Sequence, residues 1–192
     1  MALQAVAMAA STDKDRPIIT TVWVGPAPAG LDLTGIVAAA TDSYRLAYVQ
    51  LEATCDDPGW TGDLFAAKAL SAAAKDAKQG GTLEVTGQGA YRRFLLTHGT
   101  GATGGEMVEG TFPAWPELVP SSWPATVEQP RIVAAYNPLF LETLGKVARL
   151  YKDQTIRVEV NVADKNHPAL FTVKSGTSLP DFHYLLMPVR VD

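Results

Sequence analysis

With 192 residues, 47% of them apolar and 19% charged, the chain has an ordinary globular composition and enough length to bury a core without staples. A net charge of -4 excludes a uniformly basic nucleic-acid binder, though not an acidic protein with one basic lining surface. The single cysteine, Cys55, excludes an intrachain disulfide and points to a reducing cytoplasm, and no apolar run is long enough to cross a bilayer as a helix.

The N-terminal M-A-L-Q-A-V-A-M-A-A resembles a signal peptide superficially but lacks a basic leader. Leu3, Val6, Ala7 and Ala10 fall on one helical face, so the spacing predicts a helix over Ala2–Ala10. Strands are expected at Pro17–Val24, Leu31–Ala40 and Arg45–Ala53, the first two separated by G-P-A-P-A-G. In the octapeptide A-T-D-S-Y-R-L-A, Ala40–Ala47, the residues Asp42-Ser43-Tyr44 are turn-compatible, which predicts a tight hairpin.

A second unit follows the turn-rich C-D-D-P-G-W-T-G-D. Its alanine-rich helix is expected over Leu64–Lys78, stopped by Gly80-Gly81, with strands at Thr82–Thr86, Tyr91–Thr97 and Glu106–Phe112. The segment S-S-W-P-A, Ser121–Ala125, is the predicted boundary between a domain of residues 1–120 and a smaller one of residues 126–192. A third unit has a lead strand at Arg131–Ala135, then a helix opened by Asn137 as N-cap and Pro138 at its first position. Phe140, Leu144, Val147 and Tyr151 make the buried stripe of that helix. Strands at Thr155–Val160, Ala169–Lys174 and His183–Val191 complete an α+β chain built from repeated helix-plus-antiparallel-strands units.

No catalytic constellation, metal site or cofactor site can be read here. His98, His167 and His183 are scattered and stand at no metal-ligand spacing with Cys55 or each other. Gly99, Gly101 and Gly104 match G-x-G-x-x-G, but a strand-like segment follows where a dinucleotide site needs a helix, so a flexible hairpin loop is expected. Lys68, Lys75 and Lys78 project from the second helix, and Lys146, Arg149 and Lys152 from the third. A solvated face explains them singly; side by side, the helices would form a basic strip that touches phosphates without reading sequence.

Three segments, in order, carry a resemblance to one family. Ala40–Ala47, the string T-F-P-A-W-P-E-L-V-P at Thr111–Pro120, and the terminal Y-L-L-M-P-V-R-V at Tyr184–Val191 resemble the bacterial sliding clamp, the β subunit of the replicative DNA polymerase. Weaker echoes are R-P-I-I at Arg16–Ile19 and Y-N-P-L-F at Tyr136–Phe140. The resemblance implies a DNA-clamp fold, with one full clamp domain plus a half domain, and no enzymatic activity. It also implies a hydrophobic cleft that captures short peptides from DNA polymerase and other replication and repair proteins. By the matching positions, Thr41, Tyr44, Arg45 and Leu46 form one wall of this cleft, and Pro113 and Leu118 a second. Leu185, Met187, Pro188, Val189 and Arg190 form the third. An apolar trap of Leu, Met, Val and Pro suits capture of one or two anchor side chains.

Three departures stand against that likeness. Ser43-Tyr44 replaces a Gly-His or Leu-Tyr type of pair, and Glu117 stands where many clamps have Arg. The third is length, because only three of the family's six units are matched. The resemblance therefore supports two expectations: an oligomeric processivity factor around duplex DNA, or a non-encircling adaptor or competitor for clamp-binding peptides. Exposed sheet edges at an incomplete half-domain favour self-association in either case.

Overall fold

A computed structural model describes residues 1–77, 80–88, 91–99, 101–119, 135–151, 156–160 (backbone), 168–173 and 180–189. The first unit comprises α1 (Ala2–Ala7), β1 (Thr21–Pro26), β2 (Ile36–Thr41) and β3 (Arg45–Leu51). The second has β4 (Asp63–Ala66), α2 (Ala67–Asp76), β5 (Thr82–Thr86), β6 (Arg93–His98) and β7 (Gly101–Glu106). The third has α3 (Pro138–Tyr151), β8 (Ile156–Val160), β9 (Ala169–Val173) and β10 (Phe182–Leu186). All strand pairs are antiparallel, in a seven-stranded sheet ordered β4-β1-β2-β3-β10-β9-β8 and a three-stranded sheet ordered β5-β6-β7. The α+β expectation holds.

Strand alternation divides the core in two. Ala38, Ala40, Ala47, Val49, Phe171, Phe182 and Tyr184 face the helices, where they meet Val6, Leu70, Leu144, Val147 and Tyr151. The opposite face carries Val37, Ala39, Leu46, Tyr48, Leu170 and Leu185, which cluster with Trp115. Both faces of β2 are therefore buried along its whole length, which suits its run of Val and Ala. Each fully buried Val or Leu contributes about 1.5–3 kcal/mol, so this two-sided burial anchors the centre of the sheet.

The joint between β3 and β10 fixes the relation of the first and third units. Phe182 lies opposite Val49, Tyr184 opposite Ala47, and Leu186 opposite Arg45. The sheet thus runs without a break from residues assigned to the larger predicted domain into those of the smaller. The predicted boundary at 121–125 lies outside the described residues.

Several element boundaries differ from the sequence reading. The first helix ends at Ala7, and Pro17–Thr20 is a 3-10 turn before β1 rather than the start of a strand. The strand expected at Leu31–Ala40 is confined to Ile36–Thr41. Leu64–Ala66, expected as the first turn of a helix, belong to the edge strand β4, because Phe65 and Leu64 pair with Val22 and Trp23. The largest correction concerns the glycines. Gly101–Glu106 is strand β7 rather than a loop, and the predicted strand Glu106–Phe112 shrinks to a bridge of Met107 with Phe65. Packing overrides propensity there: a Cβ at Gly105 would lie 2.5 Å from Ala69 Cβ and 2.8 Å from the Phe94 ring, so glycine lets α2 sit on β7.

The third helix forms as expected. Asn137 Oδ1 accepts the Leu139 N–H at 3.0 Å, and Leu144, Val147 and Tyr151 are buried with Phe140 packed beside them. Of the predicted lead strand, residues 131–134 lie outside the described residues, while Ala135 bridges Val189.

Candidate functional site

The octapeptide hairpin is built by short polar side chains. Asp42 Oδ1 accepts the N–H groups of Tyr44 and Arg45 at 3.0 and 3.1 Å, and the Thr41 hydroxyl donates to the Arg45 carbonyl at 2.7 Å. Ser43 occupies the left-handed region at φ 80°, a conformation that glycine adopts at less steric cost. This turn sets the register of β2 and β3.

Register then assembles one row across four strands. Thr41 lies opposite Leu46, Leu46 opposite Leu185, and Leu185 opposite Leu170, all on the face away from the helices. Past the end of β10 the ladder continues, with the Met187 N–H donating to the Tyr44 carbonyl at 3.2 Å. Residues from the first and third sequence motifs are thus brought side by side. The floor of the row is closed: Thr41, Leu46 and Leu185 are buried. Of the other residues in the three motifs, Tyr44, Leu118, Val189 and Met187 are 61%, 56%, 45% and 43% exposed.

The second motif reaches this face through Trp115, whose ring lies 5.3 Å from Tyr48 and 5.9 Å from Trp23. A 3-10 turn over Trp115–Leu118 follows, and Val119 packs into the same cluster. Pro113 is exposed and lines a groove of about 560 Å³ with Trp23, Pro26, Arg92, Trp115 and Asp63. In that groove Asp63 accepts from Arg92 Nη1 at 2.6 Å and from Trp60 Nε1 at 2.9 Å. Pro188 is half-buried, and Arg190 lies outside the described residues.

Arg45 has a different setting from its neighbours in the motif. Its register partner Leu186 belongs to the helix-side core, so its side chain stands on the opposite face from Leu46. The guanidinium pairs with Asp42 at 2.9 Å, with side-chain exposures of 13% and 12%, and donates to Thr143 Oγ1 at 2.7 Å. It also lies 4.9 Å from the Phe140 ring centroid, on which Tyr44 stacks at 6.3 Å. The Tyr184 hydroxyl donates to the Phe140 carbonyl at 3.1 Å, and burial pushes its pKa up against the opposing pull of Arg45. Phe140, Thr143, Asp42 and Leu170 are the members of this site that sequence reasoning did not select. Phe140 did stand in the Y-N-P-L-F echo and Asp42 in the octapeptide turn; Thr143 and Leu170 carried no local signal.

The described basic residues of the predicted strip lie on two helices. Lys68 and Lys75 are exposed on one face of α2, and Lys146 and Arg149 on one face of α3, where Lys146 pairs with Glu142 at 3.0 Å. The helix packed beside α2 is α1, which carries no Lys or Arg, while α3 packs over β9. Lys78 and Lys152 lie outside the described residues. Among the described residues no group of three His, Cys, Asp or Glu side chains could hold a metal ion. His183 stacks on Tyr48 at 4.9 Å, and its Nδ1 lies 3.3 Å from Thr172 Oγ1; His167 falls outside the described residues. No helix among the described residues is long and apolar enough to cross a membrane.

Comparison with known proteins places this architecture among the bacterial sliding clamps. The DnaN sliding clamp of Bartonella birtlesii, solved bound to griselimycin, superposes with a TM-score of 0.71 at 17% identity over 99% of this chain and 63% of its own. The DNA polymerase sliding clamp of Pseudomonas aeruginosa gives 0.68 at 15% identity, over 99% of this chain and 64% of that one. The DNA polymerase III β subunit of Thermotoga maritima gives 0.67 at 17% identity, over 99% and 62%. No protein-family model and no curated protein matches the sequence. The chain therefore has the sliding-clamp fold. It spans a little under two thirds of the length of the clamps it matches, consistent with one full clamp domain plus a half domain.

Proposed function

We propose that the chain is a compact, non-enzymatic clamp-like protein that binds partner proteins through the apolar row at the β3–β10 joint. The observation that supports this most is that Thr41, Leu46 and Leu185 share one row, with Met187 hydrogen-bonded alongside Tyr44. Leu118 and Met187 would grip the anchor side chains of an extended peptide above the Leu46–Leu185 floor. The flexible thioether of Met187 suits several partners. Arg45 would hold the hairpin wall from behind.

The fuller role is that of a polymerase processivity factor. An oligomer would encircle duplex DNA, with Lys68, Lys75, Lys78, Lys146, Arg149 and Lys152 facing phosphates. Polymerase and other proteins bearing clamp-binding peptides would be its partners, in the cytoplasm. The two domains proposed are residues 1–120 and 126–192, joined by the continuous sheet.

A retention assay tests the encircling role. On nicked circular DNA at high salt, an encircling oligomer stays bound and slides off once the circle is linearised. Equal loss from circles and linear DNA contradicts it. A second reading, a non-encircling adaptor, is favoured by the absence of Lys and Arg from α1, the helix packed beside α2. It predicts peptide binding without topological retention on DNA.

A further inference from the structure

The groove of about 560 Å³ that Pro113 lines contains none of Thr41, Leu46, Leu185 or Met187, so it is a separate feature from the apolar row. Its walls are aromatic and proline-rich: Trp23, Phe112 and Trp115, with Pro26, Pro28 and Pro113. Two stretches of sequence supply them, the G-P-A-P-A-G loop after β1 and the string T-F-P-A-W-P. Glycines make room for the Trp23 ring. A Cβ at Gly25 would run into that ring, and one at Gly62 would lie 2.7 Å from Trp23 Nε1, where φ of +109° favours glycine in any case.

Two kinds of group in this groove have no partner among the described residues. The first are the indole N–H groups of Trp23 and Trp115, which donate to no acceptor there although Trp115 is only 2% exposed. A tryptophan so deeply packed ordinarily finds one, as Trp60 does in Asp63 at 2.9 Å. The second is the carboxylate of Glu109, exposed and in no ion pair. The other two charges of the lining cancel, because Arg92 holds the nearly buried Asp63 across 2.6 Å. The groove thus offers two donors, three aromatic rings and one unmatched negative charge.

We infer that this groove binds a proline-rich, extended segment of a partner protein that carries a basic residue. A polyproline helix has no internal hydrogen bonds, so its carbonyls are free to accept from the Trp23 and Trp115 indoles. Its rings lie against aromatic walls, and its stiffness spares much of the ordering cost of binding. The basic residue meets Glu109 and the face of an aromatic ring. An acidic segment is disfavoured, since Glu109 repels it and Arg92 is already matched by Asp63. The site stands whether or not the β3–β10 row binds peptides.

Titration of the full chain with a labelled Pro-Pro-Leu-Pro-Pro-Arg peptide tests it. Saturable binding is expected, weakened about tenfold or more by Glu109→Lys, which reverses an exposed charge and should leave urea unfolding unchanged. Replacing the peptide's Arg by Glu should weaken binding by a similar factor. In nitrogen-resolved spectra the indole N–H signals of Trp23 and Trp115 should shift during the titration, and that of Trp60, already held by Asp63, should move least. Capture of Gln-Leu-x-Leu-Phe by Glu109→Lys should match the wild type, which keeps the two sites distinguishable. No binding of the proline peptide by the wild type overturns the inference. So does equal binding by Glu109→Lys, equal binding of the Arg and Glu peptides, or Trp23 and Trp115 signals that stay in place.

Discussion

The guanidinium of Arg45, in the hairpin of the first unit, donates to the hydroxyl of Thr143 on the helix of the third across 2.7 Å. These residues are separated by 98 positions in sequence, and the same guanidinium holds Asp42 at 2.9 Å. Both members of the ion pair are nearly buried, so removing one strands the other in a poorly solvated site. Arg45→Ala is expected to lower unfolding free energy by about 3 kcal/mol, read from urea denaturation. Arg45→Lys should recover only part of it, since an ammonium cannot reproduce the forked geometry. A loss within error of zero would show that the brace carries no energy.

The close approach of α2 to β7 is tested at Gly105. A Cβ there meets Ala69 at 2.5 Å and the Phe94 ring at 2.8 Å, so the helix must shift away from the strand. Gly105→Val should destabilise by about 1–3 kcal/mol or more, as overpacking does. Gly80→Val, where nothing lies within 4 Å of the added Cβ but φ is +89°, separates backbone strain from steric crowding. If Gly105→Val is tolerated, the glycine run of β7 has some other reason.

Burial pushes the phenols of Tyr151 and Tyr184 up from the ordinary value of 10.0. In the unfolded chain they ionise near that value, whereas the folded chain retains their protons, so folding stability should be intact below it. The contribution is lost as pH rises above 10 toward the folded-state values. The Tyr151 hydroxyl is buried with no hydrogen-bond partner among the described residues. Tyr151→Phe should therefore be neutral or up to about 1 kcal/mol more stable at pH 7, and should reduce the alkaline loss. Marked destabilisation by Tyr151→Phe at neutral pH would show that the hydroxyl is satisfied.

Much of this fold is legible in the sequence because its signals are local. The Asp42-Ser43 turn and the Asn137-Pro138 helix start each satisfy backbone groups with side chains a few positions away, so composition reveals them. β4 and β7 were hidden for the opposite reason. Leu64 and Phe65 fit a helix as well as a strand, and their pairing with Trp23 and Val22 lies far off in sequence. The glycines of β7 read as a loop until Ala69 and Phe94 show what needs the space. The site divides in the same way. The motif resemblance brought Leu46 and Leu185 together, but alternation along β3 decides that Leu46 faces the row while Arg45 turns to the helices. Thr143 and Leu170 enter only through register and packing.

The buried and the exposed motif residues should respond differently to truncation. Leu46 and Leu185 are buried, so either change to Ala should destabilise by about 2–5 kcal/mol. Leu118 and Met187 are exposed and should cost less than about 1 kcal/mol when truncated. This contrast, read by thermal or urea unfolding, identifies variants that alter the surface without altering the fold.

Partner capture by the apolar row stands or falls on titration of a labelled Gln-Leu-x-Leu-Phe peptide against the wild type and the Leu118→Ala, Met187→Ala double variant. Saturable binding by the wild type is expected, with an affinity loss of about tenfold or more in the variant and unfolding stability preserved. No binding by the wild type, or equal binding by the variant, would contradict it.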